Sequence, residues 1–239
     1  MITIRSFNKS CEIGVDSFSP TVFVDNCNYS CDYCMNAKLV RREVKQQIDI
    51  KDVKKFVEEN KCKLIIISGG EPLLQSVDDL SGFIQEFNSI GCGVGICTNG
   101  YWVLKLEKLI DKLNYVAMDL KTDPTRYTTL TKQPNAYNNV LHCADILFKN
   151  RDTLRWNREL FDYEIRTTLY PPLVDEESVR KMSLAIYRGE KWVWQNYRPT
   201  PHMLNPSVAE LVKPYSQEKI EELKKIAEGE GHHIIMRDV

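Results

Sequence analysis

No stretch of this sequence approaches the roughly 18 consecutive apolar residues of a membrane-spanning helix. The amino-terminal MITIRSFNKSCEIG has no apolar core of signal-peptide length either. A cytoplasmic protein that makes no use of a membrane is expected. Charge of one sign is also missing: the formal net charge over 239 residues is -1, so no overall basic field draws in nucleic acid, although a local patch can hide inside a neutral total. There is no internal repeat and no low-complexity tract, which leaves no basis for a repeat architecture or a disordered tail. Paired cysteines are scarce. Of eight cysteines, Cys11, Cys62, Cys92, Cys97 and Cys143 are dispersed and include no Cys-x-x-Cys pair.

The other three cysteines stand together, Cys27, Cys31 and Cys34 in CNYSCDYC. In a cytosolic chain such clustering argues for metal or redox use rather than a disulfide framework. Three thiolates in one short loop, with no fourth nearby, suit a four-iron, four-sulfide cubane with one iron left free to bind something other than protein. Two plainer readings stay open. The spacing i, i+4, i+7 would also place small buried hydrophobes on one helix face, and a structural zinc site could recruit a distant fourth Cys or His.

Hydrophobic residues at 43% and charged residues at 27% describe an ordinary globular protein. The length suits one α/β core, expected as a single domain over 1–239 with its core at 21–199 and a helix and short strand within 200–239. Strand patterns fall at 21–25, 63–68, 93–97, 115–120, 163–169 and 191–197. Helical spacing of apolar residues falls between them, at 50–60, 77–89, 104–113, 137–150 and 176–187, followed by a helix at 217–228 and a strand at 233–236. Six strands joined by right-handed crossovers fit a partial barrel or an open sheet, and in either the site lies at the carboxyl ends of the strands. The stretch 121–135 reads as a loop near that site, and 151–162 as a helix turn or surface connector.

Polar groups follow the strands where a site would need them: Ser68-Gly69-Gly70-Glu71-Pro72, Cys97-Thr98-Asn99-Gly100 and Asp119-Leu120-Lys121. Taken singly, each has an ordinary explanation. The glycines and Asn99 could simply make turns, Tyr33 could be core, Asp119 with Lys121 could be a surface ion pair, and Arg166 could face solvent. Alternation places Glu164, Arg166 and Thr168 on one face, so a polar barrel interior is also consistent. The adjacent His232 and His233 read as surface residues, and Trp192 with Trp194 as sheet packing.

Taken together, the cysteine loop with Tyr33, the GGEP segment, the TNG turn and the DLK turn resemble the radical S-adenosylmethionine superfamily. Within it the chain is most similar to the compact activating enzymes of glycyl radical enzymes, those of pyruvate formate-lyase and anaerobic ribonucleotide reductase. The resemblance selects an α/β fold, a partial (β/α)6 barrel with parallel strands. It implies a 4Fe-4S cluster on Cys27, Cys31 and Cys34, with S-adenosyl-L-methionine chelated to the free iron and cleaved by one electron to a 5'-deoxyadenosyl radical. By the same resemblance Gly69 and Gly70 hydrogen-bond the methionyl amino group with Glu71 assisting, and Tyr33 packs near the adenine. Asp119 serves the methionyl carboxylate and Arg166 reaches the nucleotide. Asn99 and Lys121 complete the cofactor-binding set, while Gln195 and Arg198 in WQNYRP face substrate. In the activases an acidic residue preceding TNG joins the aspartate at the carboxylate, directly or through a monovalent cation; here that position is Cys97. The partners implied are a glycyl radical enzyme as protein substrate and a flavodoxin or ferredoxin-like electron donor. The alternatives are a radical enzyme acting on a small metabolite or ribosomal peptide, and a non-catalytic iron-sulfur or zinc module.

Overall fold

Short apolar runs punctuated by polar turns become strands, and several of the helices between them start at a residue that caps them. Asp49, Ser76 and Ser216 accept from the backbone amides of Lys51, Asp79 and Lys219, and Asp175 forms a reciprocal capping box with Ser178. The computed structural model describes residues 2–9, 18–157 and 161–237, without the side chains of 153–157. One sheet contains β1 (Ile4–Asn8), β2 (Thr21–Val24), β3 (Leu64–Gly69), β4 (Gly93–Thr98), β5 (Tyr115–Asp119), β6 (Asp162–Leu169), β7 (Lys191–Asn196) and β8 (His233–Arg237), in that spatial order. From β2 to β8 every pairing is parallel.

The helices are α1 (Ala37–Val40), α2 (Ile50–Glu59), α3 (Val77–Asn88), α4 (Val103–Leu109), α5 (Pro124–Thr131), α6 (Ala136–Asn157), α7 (Glu176–Ser183), α8 (Pro206–Leu211) and α9 (Gln217–Gly229). The order of the strands never reverses, so there is no switch point of the doubly wound kind, and right-handed crossovers put the helices on one face. Ile65, Ile67, Val94, Ile96, Val116, Met118 and Ile165 alternate toward that face and join the main core. Leu64, Ile66, Cys97, Tyr115 and Ala117 point the other way and form a separate small cluster on the concave side. Among the described residues no pairing joins β8 to β1, so the barrel is partial, as expected.

Four expectations need correction. A strand was not expected before residue 21, yet β1 pairs antiparallel with β2, its Ile4 fully buried. The stretch 121–135 holds α5, which Asp123 caps through the Thr125 amide with Pro124 in the first turn. Helix α6 runs on to Asn157, beyond the expected end at 150; residues 158–160 of the expected connector, and Cys11, lie outside the described residues. His232 is also not at the surface: it is 5% exposed, its Nε2 lies 3.0 Å from Ser183 O, and it packs edge-on against Trp192.

The concave side is polar toward its upper end. Glu164, 2% exposed, accepts two bonds from the Arg237 guanidinium at 2.5 and 2.7 Å. Replacing Arg237 with Ala would leave that carboxylate buried without its partner, and a loss of about 3 kcal/mol is expected in urea unfolding. The double variant with Glu164→Gln should recover part of it, because the surviving charge is gone.

Candidate active site

The cysteine loop leaves β2 at Asn26, whose φ of +69° turns the chain and whose amide bonds Leu39 O at 2.9 Å. The loop is therefore closed at its base onto α1. Inside it Cys34 N bonds Cys31 O at 3.0 Å and Tyr29 N donates to Cys27 Sγ at 3.4 Å. Burial pushes the Cys27 thiol up to about 12, with the Glu71 charge adding to it, and the Cys31 thiol up to about 11; Cys34 is raised for the same reason. Three neutral thiols in a dry loop become thiolates only when a cationic centre compensates them; burial raises the core thiols of Cys92 and Cys143 in the same way.

The donor set fits an iron-sulfur cluster better than a single ion. Among the described residues no three His, Cys, Asp or Glu side chains converge on one ion-sized site, as zinc would require; thiolates of a cubane bind separate irons. Three buried donors on the loop, Asn28 Nδ2, Tyr29 OH and Tyr33 OH, meet no acceptor among the described residues. Buried donors of this kind are normally satisfied, and a polar group held at the loop would satisfy them.

The GGEP segment is stitched to this loop by backbone. Gly70 N bonds Val24 O at 2.9 Å, Glu71 N bonds Asn26 O at 2.7 Å, and Asn36 Nδ2 bonds Gly69 O at 2.8 Å. Both glycines are required by the approach itself: Gly69 has φ +109°, and a Cβ on Gly70 would lie 1.8 Å from Asn26 O. Glu71 is placed differently from the expected assisting role. Its carboxylate is 1% exposed and accepts from Leu73 N (3.0 Å), Thr98 Oγ1 (2.7 Å) and Asn99 N (2.7 Å). It is occupied in bracing the TNG turn. Asn99, thus held, donates through Nδ2 to Asn28 Oδ1 at 2.9 Å and lies 3.8 Å from Cys27 Sγ, so it does join the cysteine loop.

Asp119 and Lys121 share a face as alternation required, with Lys121 Nζ 2.9 Å from Asp119 Oδ2. Arg166 sits opposite Asp119 on β6 and gives Nε and Nη2 to its Oδ1 at 3.0 and 2.9 Å. Burial works against the Asp119 charge, but Arg166 and Lys121 outweigh it and hold the carboxyl below its usual range. Arg166 Nη1 also lies 3.5 Å from Cys97 Sγ, so a cationic side chain fills the ground beside the cysteine. Tyr33 packs on Tyr170 (4.7 Å), which meets Tyr197 (5.0 Å). In WQNYRP, Gln195 lies on the concave side in register with Thr168, Arg198 is exposed, and Trp192 packs against Trp194.

The sequence profile of the Radical SAM superfamily matches residues 21–182, the span that holds the cysteine loop, the GGEP, TNG and DLK segments and Arg166. The chain belongs to the radical SAM superfamily. Two proteins of Methanocaldococcus jannaschii, each named as a proposed glycyl-radical enzyme activating enzyme, are similar over most of their length. One is 27% identical over 92% of this chain and 89% of its own, the other 30% identical over 87% and 76%. A radical SAM methyltransferase from Sphaerobacter thermophilus shares the fold with a TM-score of 0.62, at 16% identity, over 92% of this chain and 66% of that one. Membership of the superfamily implies a 4Fe-4S cluster and S-adenosylmethionine.

One part of this radical SAM site was not expected. The segment before α8 straps the cysteine loop: Leu204 N bonds Cys34 O at 2.9 Å, Asn205 N bonds Asp32 O at 3.0 Å, and Arg41 Nη2 reaches Leu204 O at 2.6 Å. The available sequence signal was Asn205-Pro206, a cap and first-turn pair that marks where a helix begins and hence where the strap must end.

The brace at Glu71 gives a testable consequence. In Glu71→Gln the amide oxygen can serve Leu73 and Thr98, but its NH2 must face the Asn99 amide, donor against donor. A loss of about 1 to 3 kcal/mol is expected at pH 8, with weaker S-adenosylmethionine binding at unchanged iron content. Burial pushes the Glu71 carboxyl from 4.5 up to about 7, its three donors limiting the rise. The folded protein then holds a proton that the unfolded chain has released, so the wild type should lose stability as pH rises through that window and the variant should lack this slope.

Proposed function

We propose that this radical SAM enzyme generates a glycyl radical on a partner enzyme, anaerobic ribonucleotide reductase being the first candidate. The observation that carries the reading is the similarity over most of both chains to the two Methanocaldococcus jannaschii proteins. In it Cys27, Cys31 and Cys34 hold the cluster, and Tyr33, the Gly69-Gly70 edge, Asn99, Asp119, Lys121 and Arg166 receive S-adenosylmethionine. Bound together, the two cofactors supply a 5'-deoxyadenosyl radical by one-electron cleavage of a sulfonium C-S bond. The electron comes from a flavodoxin or ferredoxin-like donor. The radical takes one α-hydrogen from a glycine of the partner, leaving 5'-deoxyadenosine, methionine and the glycyl radical.

The chain's own work is placement and exclusion. Glu71 fixes Asn99 against the cysteine loop, and the paired charges of Asp119, Lys121 and Arg166 present fixed dipoles where water would otherwise enter. The test is anaerobic mixing of reduced enzyme, S-adenosylmethionine and a glycyl radical enzyme of the same source, followed by electron paramagnetic resonance. A doublet from the single remaining α-hydrogen is expected, collapsing when the glycine α-carbon is deuterated. Accumulation of 5'-deoxyadenosine with no doublet on any candidate would transfer the reading to a small metabolite or ribosomal peptide.

A further inference from the structure

The surface beside the cysteine loop is far more basic than a chain of net charge -1 would suggest. Met35, directly after Cys34, is 57% exposed. Helix α1 and the turn behind it then expose Lys38, Arg41, Arg42 and Lys45, interrupted by the single carboxylate of Glu43. Among the described residues none of these four cations pairs with a carboxylate; Arg41 and Lys45 reach backbone carbonyls of Leu204 and Arg42. A groove of about 660 Å³ borders the ridge at Met35 and Lys38, with Phe7, Phe23 and His202 among its other walls.

We propose that this ridge docks an acidic one-electron carrier protein of flavin or iron-sulfur type. The inference rests on the radical chemistry of the proposed function and is independent of which molecule loses the hydrogen. Cleavage of S-adenosylmethionine consumes one electron per turnover: the carrier is oxidised by one electron, the sulfonium C-S bond accepts it, and no proton crosses the interface. A carrier must come close to the cluster loop, and Met35 is an exposed apolar contact adjacent in sequence to a ligand cysteine. Four unpaired cations around it supply complementary charge, which raises encounter rates and makes them sensitive to salt. A nucleic acid fits less well, since the ridge is short and broken by Glu43. The glycyl radical enzyme fits less well too, because the concave mouth with Asp119 and Arg166 is built from the ends of β5 and β6, whereas the ridge follows the loop out from Cys34.

The test compares two reductants in the triple variant Lys38→Glu, Arg42→Glu, Lys45→Glu, with 5'-deoxyadenosine as the readout and no glycyl radical enzyme present. With reduced flavodoxin as the probe at low salt, the variant is expected to be slower than wild type by about tenfold or more, and the wild-type rate itself should fall as salt is raised. With dithionite, which needs no docking surface, the two proteins should agree within about twofold, a difference of some 0.4 kcal/mol in barrel-independent chemistry. Equal rates with flavodoxin would overturn the proposal. Equal slowing with both reductants would place the damage in the cluster site and would also overturn it. A wild type that makes no 5'-deoxyadenosine even with dithionite would sink the radical reading, whereas a missing glycyl doublet leaves every arm of this comparison intact.

Discussion

Replacing any one of Cys27, Cys31 or Cys34 with Ala is expected to empty the protein of iron altogether, and with it to reduce S-adenosylmethionine cleavage to background. Cubane assembly is cooperative in its ligands, so removing one thiolate should cost the cluster and not one iron of it. The structure sharpens this expectation, because the loop offers no substitute. The loop is held by its own backbone hydrogen bonds, Tyr29 N and Asn99 lie beside the Cys27 thiol, and Cys97, the other cysteine near the site, is engaged with Arg166. Anaerobically reconstituted wild type should bind about four irons per chain, and each Ala variant close to none while remaining folded. Cys62→Ser and Cys143→Ser should keep the full complement, since both are core residues remote in role from the loop. Loss of iron in either of those two would contradict the three-ligand assignment. Oxygen should bleach the reconstituted wild type, whose fourth iron has no protein ligand.

Most of the architecture was legible because it depends on local pattern. Strands β2 to β7 are short apolar runs ended by glycine or by polar turns, and several helices between them begin at Asp or Ser caps that also stand in the sequence. What escaped depends on a distant partner. Strand β1 is five residues at a sheet edge, and only its pairing with β2 makes it a strand. The strap over the cysteine loop joins Cys34 to Leu204 and Arg41 to Leu204, contacts that no window along the chain can contain. The site shows the same division. Asp119 and Lys121 share a face by alternation alone, but the bond from Arg166 to Asp119 needs the β5-β6 register. The inward turn of Glu71 was hidden for a further reason: a carboxylate beside two glycines looks available for a ligand until the amides of Leu73 and Asn99 are seen to claim it.

Gly70→Ala should then be the most damaging substitution outside the three cysteines. The new methyl carbon would stand 1.8 Å from Asn26 O, 2.6 Å from Asn26 C and 3.1 Å from Asn26 N. All three are backbone atoms, so no side chain can rotate away to make room. Nor can Asn26 shift alone, because its carbonyl accepts from Glu71 N, its amide donates to Leu39 O, and the next residue is Cys27. Relief requires moving the base of the cysteine loop, which breaks the stitch between the loop and GGEP. A loss of roughly 4 kcal/mol or more in urea unfolding is expected, at the extreme of single substitutions, together with loss of stable iron binding. Gly82→Ala is the matched comparison: it lies inside α3 with nothing within 4 Å of the added carbon, so it should stabilise the protein by about 0.5 to 1 kcal/mol through helix propensity and chain entropy. If Gly70→Ala kept wild-type stability and iron while Gly82→Ala behaved as expected, the close approach of GGEP to the loop would not be what holds the site together, and the glycines would have to be needed for the ligand alone.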